Sequence, residues 1–287
     1  MLKFAPLNLT AEEITSFTPQ WSGPRQSDGR PRVPDEVIAR LTTASTSDAW
    51  AVLSENGYRH QYEGGWLRIH GGQVLCGRAL TAMFMPRRRD LNEIVAQRAA
   101  ATGQVGEFTS WPIYALQPGD VYVADVFGKI EWSPVVGDNL ATAIQARTGR
   151  GIVVHGAVRD AEGIERIGSF PSFVRGFHPT HALPAGALGG INCPVCIGAV
   201  SVMPGDVILG RGDGVLVIPP HLAELVATRC EDLALRDEFA KERLRAGDYL
   251  VGQIDAPWTG RMEADFRSWL AGYQGPLRVP QAASEPM

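Results

Sequence analysis

Two polar residues at the end of a short apolar run carry the strongest chemical signal in this chain. Arg159-Asp160 follows Ile152-Val153-Val154 after only a few residues. An arginine can clamp a carboxylate, and a neighbouring aspartate can ligate a hard cation. Twenty-odd residues upstream, Gly137-Asp138-Asn139-Leu140 opens a segment with Leu140, Ala143 and Ile144 at helical spacing. Thr148-Gly149 closes that segment, a glycine stop after the last periodic residue. The stretch from Gly137 to Asp160 therefore reads as helix, turn and buried strand, with Gly156 letting the backbone bend before the Arg-Asp pair emerges. A helix start offers free N–H groups to an anion. Facing one cleft, the two ends predict a site for a small acidic substrate held by a divalent cation.

Other reactive residue types admit plainer readings. Cys193-Pro-Val-Cys196 has no second pair at metal spacing and reads as two small core or strand residues rather than a zinc or redox site. His178-Pro-Thr-His181 reads as a polar loop, with a cleft-lining role open to one of the pair. His155 reads as a hydrogen-bonded core residue. For Arg159-Asp160 the plain alternative is a surface ion pair closing a strand, and for Asp138 a helix cap. Lys129 is the rival nucleophile, because a Schiff-base mechanism needs a lysine and only Lys3, Lys129 and Lys241 are present. Gly128-Lys129 reads as an exposed turn, which disfavours the desolvation such a lysine requires.

The elements that must position these groups can be read around them. With 287 residues, 45% hydrophobic and 20% charged, the chain is long enough for one large domain or two small ones, with ample core. A net charge of -4 argues against nucleic acid as the main partner. No apolar run approaches the roughly 18 residues that span a bilayer, and Met1 to Pro6 carries no signal-like core, so no membrane partner is predicted. The expected location is cytoplasmic, with reduced thiols.

Residues 1–33 are rich in Pro, Gly, Ser and Arg and predict an arm, of the kind that can pack on a neighbouring subunit. Pro34 to Tyr58 predicts two helices broken at Thr42–Ser47, with Asp48 in the first turn of the second. Gly72 to Met85 predicts a pair of strands, and Leu91 to Ala101 a helix. Arg87-Arg88-Arg89 reads as a solvated cluster, with attraction of an anionic substrate or subunit as the sharper alternative. Pro118-Gly119-Asp120 and Pro204-Gly205-Asp206 predict tight turns that each deliver a strand, and Val215–Ile218 forms a hairpin with the second. His221 to Gly247 predicts a long charged helix with Leu222, Leu225, Val226, Leu233, Leu235 and Phe239 inward. The tail holds Trp258, Phe266, Trp269 and Leu270, enough to dock as a helix, and the last dozen residues are expected to be disordered. Strand–helix alternation is too irregular for a doubly wound sheet.

At this point the chain resembles a known family. Gly137-Asp-Asn-Leu140, Gly156-Ala-Val-Arg-Asp160, Pro204-Gly-Asp206 and Asp213-Gly-Val215 with Ile218-Pro219 are similar to the RraA-like family over roughly residues 40–245. That family contains class II 4-hydroxy-4-methyl-2-oxoglutarate / 4-carboxy-4-hydroxy-2-oxoadipate aldolases and regulators of ribonuclease activity A. The resemblance implies an α/β fold, a β/β/α swivelling-domain sandwich, with a catalytic domain over 34–247 (insertion about 86–117) and a C-terminal extension over 248–287. It implies a homotrimer or hexamer, Mg²⁺ or Mn²⁺ as cofactor, and a small 2-oxo acid as substrate. By position, Gly137, Asp138, Asn139 and Leu140 form the substrate loop, Arg159 is the clamp and catalytic charge, and Asp160 is the metal ligand. Asp138 acts through water, and Asp237, Glu238 or Glu242 of a neighbouring subunit completes the site. The implied reaction is retro-aldol cleavage to pyruvate, with oxaloacetate decarboxylation alongside; the alternative is a non-catalytic regulator of ribonuclease. Arg211 stands where the family often has an acidic residue.

Overall fold

A computed structural model describes residues 8–277. The expectation of disorder at the extreme C-terminus falls, from residue 278 on, outside the described residues. In chain order the elements are α1 (Ala11–Phe17), α2 (Asp35–Leu41), α3 (Thr46–Glu55), β1 (Tyr62–Glu63), β2 (Leu67–Ile69), β3 (Leu75–Pro86), α4 (Arg89–Ala101), α5 (Trp111–Tyr114) and β4 (Asp120–Asp125). There follow α6 (Asp138–Thr148), β5 (Ile152–Val158), α7 (Ala161–Glu165), β6 (Ser172–Phe177), β7 (Gly186–Ile191), β8 (Val195–Ile197), β9 (Val200–Val202), β10 (Val207–Gly210) and β11 (Val215–Ile218). The chain closes with α8 (Ala223–Ala246), α9 (Val251–Ile254) and α10 (Gly260–Ala271).

A nine-stranded mixed sheet in the order β1-β11-β10-β3-β4-β5-β6-β2 forms the middle layer, with β7 also paired to β3. Among the described strands the parallel pairings are β3–β4, β4–β5 and β5–β6, so the carboxyl ends of these four neighbours lie together. Side chains alternate across this sheet, which sorts its core into two sides. Leu80, Ala82, Tyr122, Ala124, Ile152 and Val154 pack beneath α4, α6 and α7, while Cys76, Leu209, Leu216 and Ile218 pack beneath α2, α3 and α8. On the other side Leu75, Ala79, Val121, Val123 and Val153 meet the β8–β9 hairpin through Val195, Ile197, Val200 and Val202. Hairpin, sheet and helices make the β/β/α layering that the motif resemblance implies.

Both Pro-Gly-Asp turns form as expected: Gly119 and Gly205 take φ of +83° and +87°, which only glycine adopts without strain. The strand pair expected over Gly72–Met85 is instead one twelve-residue strand, β3. Within it, a Cβ on Gly77 would lie 2.5 Å from the Gly119 carbonyl oxygen, so this glycine serves a close approach of β4's turn to the strand. Gly156 stands where the β5–β6 register shifts between Val154 and Ala157, the irregularity expected there, and it too serves a close approach. It lies inside β5, where a Cβ would approach the Val126 Cβ to 2.7 Å.

In α8 the buried residues are Ala223, Val226, Ala227, Cys230, Glu231, Leu235, Phe239 and Ala240. Leu225 is not inward: it sits a hundred degrees off that stripe and is 39% exposed. From residue 8 on, the N-terminal arm packs on its own chain. Leu9 N–H bonds the Ile191 carbonyl, and the fully buried Arg30 pairs with Asp120 at 2.8 Å. The C-terminal segment likewise docks on α8 of the same chain. Phe239 is enclosed by Tyr249, Trp258, Phe266 and Trp269, with ring centroids 5.4 to 6.5 Å away. Phe239→Ala is expected to cost about 3–5 kcal/mol of stability, read as a fall in the urea midpoint. No helix among the described residues is long and apolar enough to cross a membrane.

Candidate active site

The carboxyl ends of β4, β5 and β6 gather the loops that carry the predicted residues, the position where open α/β sheets take ligands. The β5 exit is held on both sides by backbone. Arg159 N–H donates to the Val136 carbonyl at 3.0 Å, and His178 N–H donates to the Val158 carbonyl at 3.1 Å. Val136 immediately precedes Gly137, so the first of these bonds seats the start of α6 against the Arg-Asp pair. A Cβ on Gly137 would lie 2.7 Å from Asp160 Oδ2 and 2.9 Å from Arg159 Nε. Gly137, Arg159 and Asp160 are thus brought into one contact.

Arg159 and Asp160 form an ion pair at 3.4 Å, Nε to Oδ2, with both side chains about two-fifths exposed, at 39% and 40%. At such exposure the pair contributes at most about 1 kcal/mol. Neither Asp160 carboxylate oxygen accepts a hydrogen bond from any described residue, and the Arg159 Nη groups donate none. Both ionic groups are therefore available to a ligand. Asp160 also takes φ +56°, ψ +42°, the left-handed region, at the N-cap of α7. An aspartate there costs of order 1 kcal/mol more than in an ordinary conformation. The side chain does not cap α7, which leaves it directed elsewhere.

The start of α6 supplies the complementary donors. Gly137 is the N-cap and has no side chain to bond the helix, so the first-turn N–H groups look outward. Asn139 N–H is taken by Asp138 Oδ1 at 2.8 Å; those of Asp138 and Leu140 have no acceptor among the described residues. The Asp138 carboxylate turns toward α7, where a Cβ on Gly163 would lie 2.7 Å from its Oδ2. Leu140 packs partly into the core and Asn139 is exposed, so both can serve a ligand at this loop chiefly through backbone.

Several residues fall outside this cluster. Glu238 accepts a hydrogen bond from Tyr273 Oη at 2.9 Å and Glu242 one from Trp269 Nε1 at 2.8 Å, while Asp237 pairs with Lys241. The C-terminal segment therefore occupies two of the three acidic candidates on α8. Arg211 donates to the Thr42 carbonyl at 2.9 Å, a structural contact. Arg88 and Arg89 are exposed and pair with Asp90 and Glu93, the solvated cluster expected.

Burial pushes the Cys193 thiol up to about 11, which keeps it from acting as a thiolate, and Cys196 is exposed in β8 rather than in the core. Lys129 is half-buried and its ammonium has no hydrogen-bond or ion-pair partner among the described residues. His155 Nδ1 lies 3.2 Å from Asp125 Oδ1, whose carboxylate also accepts the N–H groups of Phe127 and Cys196. That dyad and the Gly163 contact were not legible beforehand. A glycine three residues after an Arg-Asp pair is the only sequence signal of the latter. His178 packs against the half-exposed Trp132 beside the β5 exit, with ring centroids 6.2 Å apart and the planes tilted by 45°.

Comparisons with known proteins meet this geometry. The family description RraA-like, Aldolase/RraA, matches residues 43–217. Protein DlpA of Legionella pneumophila is 29% identical over 82% of this chain and 36% of its own length. A Halalkalibacterium halodurans protein with the provisional name 4-hydroxy-4-methyl-2-oxoglutarate aldolase is 36% identical over 46% of this chain and 60% of its own. The chain thus spans less than two thirds of either relative. The crystal structure of Streptomyces coelicolor RraAS2, titled an unusual member of the RNase ES inhibitor RraA protein family, superposes with a TM-score of 0.60 at 28% identity, over 74% of this chain and 98% of that one.

Proposed function

The chain belongs to the RraA-like family, and from that premise we propose that it is a divalent-metal-dependent lyase that cleaves a 4-hydroxy-2-oxo acid to pyruvate and a carbonyl product. The observation that supports this reading is the contact of Gly137 with both Arg159 and Asp160, which joins an anion-binding helix start to a half-exposed Arg–Asp ion pair that has no other side-chain partner among the described residues. Among the described residues no three His, Cys, Asp or Glu side chains group closely enough to hold a metal ion. A cation that keeps most of its waters needs only one or two carboxylates, and Asp160 offers one whose oxygens are otherwise unbonded. The donor set fits Mg²⁺ or Mn²⁺ in that mode, with Asp160 as direct ligand and Asp138 acting through water. When bound, such a cation supplies Lewis-acid polarisation of the substrate's 2-oxo group.

The chain's own residues account for the rest. The N–H groups at the start of α6 receive the substrate's C1 carboxylate. Arg159 holds the negative charge that develops on the 2-oxo oxygen as the C3–C4 bond breaks. The proton leaving the 4-hydroxyl passes to water held by Asp138 as the carbonyl product forms, and that water returns it to C3 of the enolate to give pyruvate. Oxaloacetate places its C4 carboxylate where the hydroxylated carbon would lie, so the same charge stabilisation supports its decarboxylation. We assign the substrate class to small 2-oxo acids and the assembly to a homotrimer or hexamer in the cytoplasm.

A panel of 4-hydroxy-2-oxo acids and oxaloacetate, assayed for pyruvate release, tests this reading. Pyruvate from at least one of them, unaffected by borohydride, is the expected result. Inactivation by borohydride only in the presence of substrate would point to Lys129 and a Schiff base instead. No turnover across the panel would favour a non-catalytic regulator.

A further inference from the structure

The two Pro-Gly-Asp turns end in buried aspartates that are treated differently. In the first, Asp120 Oδ2 accepts the Gln117 N–H at 2.8 Å and the carboxylate is neutralised by the Arg30 guanidinium, both side chains being fully buried. In the second, Asp206 Oδ2 accepts the Met203 N–H at 2.7 Å in the same way, and the residue is only 3% exposed. No cation reaches it among the described residues, and its Oδ1 accepts no hydrogen bond. A buried carboxylate without a partner is costly. Beside it opens a cavity of 280 Å³ walled by Phe17 and Trp21 of the N-terminal arm, Tyr58, Pro220 and His221. Asp206 is the one formally charged residue in that lining; no lysine or arginine contributes.

Aromatic and proline walls around a single uncompensated negative charge select a cation with a flat apolar body. They also reject an anion, which would meet like charge at low dielectric. Arg30 at Asp120 shows what this turn accepts when it is neutralised. We propose that the cavity beneath residues 17–21 is a binding site for a small organic cation, its ammonium or guanidinium head on Asp206 and its body against Trp21 and Tyr58. The site is separate from the Arg159–Asp160 cluster and independent of the reaction assigned to it.

Burial pushes the Asp206 carboxyl up to about 7, so the proton and the cationic ligand compete for it. Affinity should be constant above about pH 7 and fall about tenfold per unit below it. His221, also in the lining, is held below its ordinary range by burial, so it takes up a proton at lower pH than Asp206 does. Arg30, behind the turn, is committed to Asp28 and Asp120.

Calorimetric titration of the full chain with 2-phenylethylamine, against neutral 2-phenylethanol, tests the site at about pH 8 and about pH 5.5. The amine is expected to bind at least about tenfold more tightly than the alcohol at the higher pH and to lose that advantage at the lower. Asp206→Asn should remove it at both. Trp21→Ala, on the arm and away from the turn, should weaken the amine severalfold, and it keeps the test decisive if Asp206→Asn does not fold. Equal binding of amine and alcohol, an unchanged affinity in Asp206→Asn, or no saturation by about 10 mM amine would overturn the proposal.

Discussion

Asp160→Asn is expected to reduce pyruvate release by about a thousandfold or more while leaving the thermal midpoint within about 1–2 °C of the parent. The loss follows from removing the one carboxylate that contacts both Gly137 and Arg159, since several kcal/mol of charge stabilisation correspond to about three decades in rate. The unchanged midpoint follows from the backbone. Position 160 lies at φ +56°, and asparagine tolerates that region as well as aspartate does. The exposed ion pair with Arg159 contributes too little to register in a melting curve. Asp160→Gly is the informative companion, because glycine relieves the left-handed strain and should raise the midpoint slightly while activity is lost. A variant more stable and inactive would mark Asp160 as retained for chemistry rather than for folding.

Gly137→Ala should cost about a hundredfold in kcat/KM. Its backbone, at φ -120° and ψ -174°, is open to any residue, so alanine brings no conformational strain. The added methyl group would instead lie 2.7 Å from Asp160 Oδ2 and 2.9 Å from Arg159 Nε. It must push those two groups apart from the helix start. Gly168→Ala is the matched control, because a Cβ there meets nothing within 4 Å and no loss is expected. Steady-state kinetics of the two variants separate a steric effect at the site from a general sensitivity to glycine replacement.

Local chemistry made much of this molecule readable. The Pro-Gly-Asp turns, the glycine stop at Gly149 (φ +63°) and the helical spacing of α6 each express a preference carried by a few adjacent residues. Less legible was glycine used for contact as well as for turning. Gly77 in β3 and Gly156 in β5 each allow a neighbouring segment to approach closely, which depends on residues distant in sequence. Leu225 shows a related limit, since a long charged helix has several apolar residues and only packing decides which face is buried.

At the site, the pairing of Gly137–Leu140 with Arg159-Asp160 was legible from spacing and motif. The left-handed backbone of Asp160 and the seat of Asp138 on Gly163 were not, because both are set by how α6 and α7 meet. Arg30 was equally silent: among many arginines, nothing marks the one that is fully buried against Asp120. Nor could composition show that Tyr273 and Trp269 of the C-terminal segment would engage Glu238 and Glu242 of α8.

The central claim is that the Gly137–Arg159–Asp160 cluster carries out metal-dependent carbon–carbon cleavage. Its most direct test is pyruvate release from 4-hydroxy-4-methyl-2-oxoglutarate by protein stripped with chelator, before and after addition of Mg²⁺ or Mn²⁺. The expected result is no release from the stripped protein, full recovery with metal, and no recovery in Asp160→Asn. Undiminished release without metal, or equal recovery in Asp160→Asn, would contradict the account.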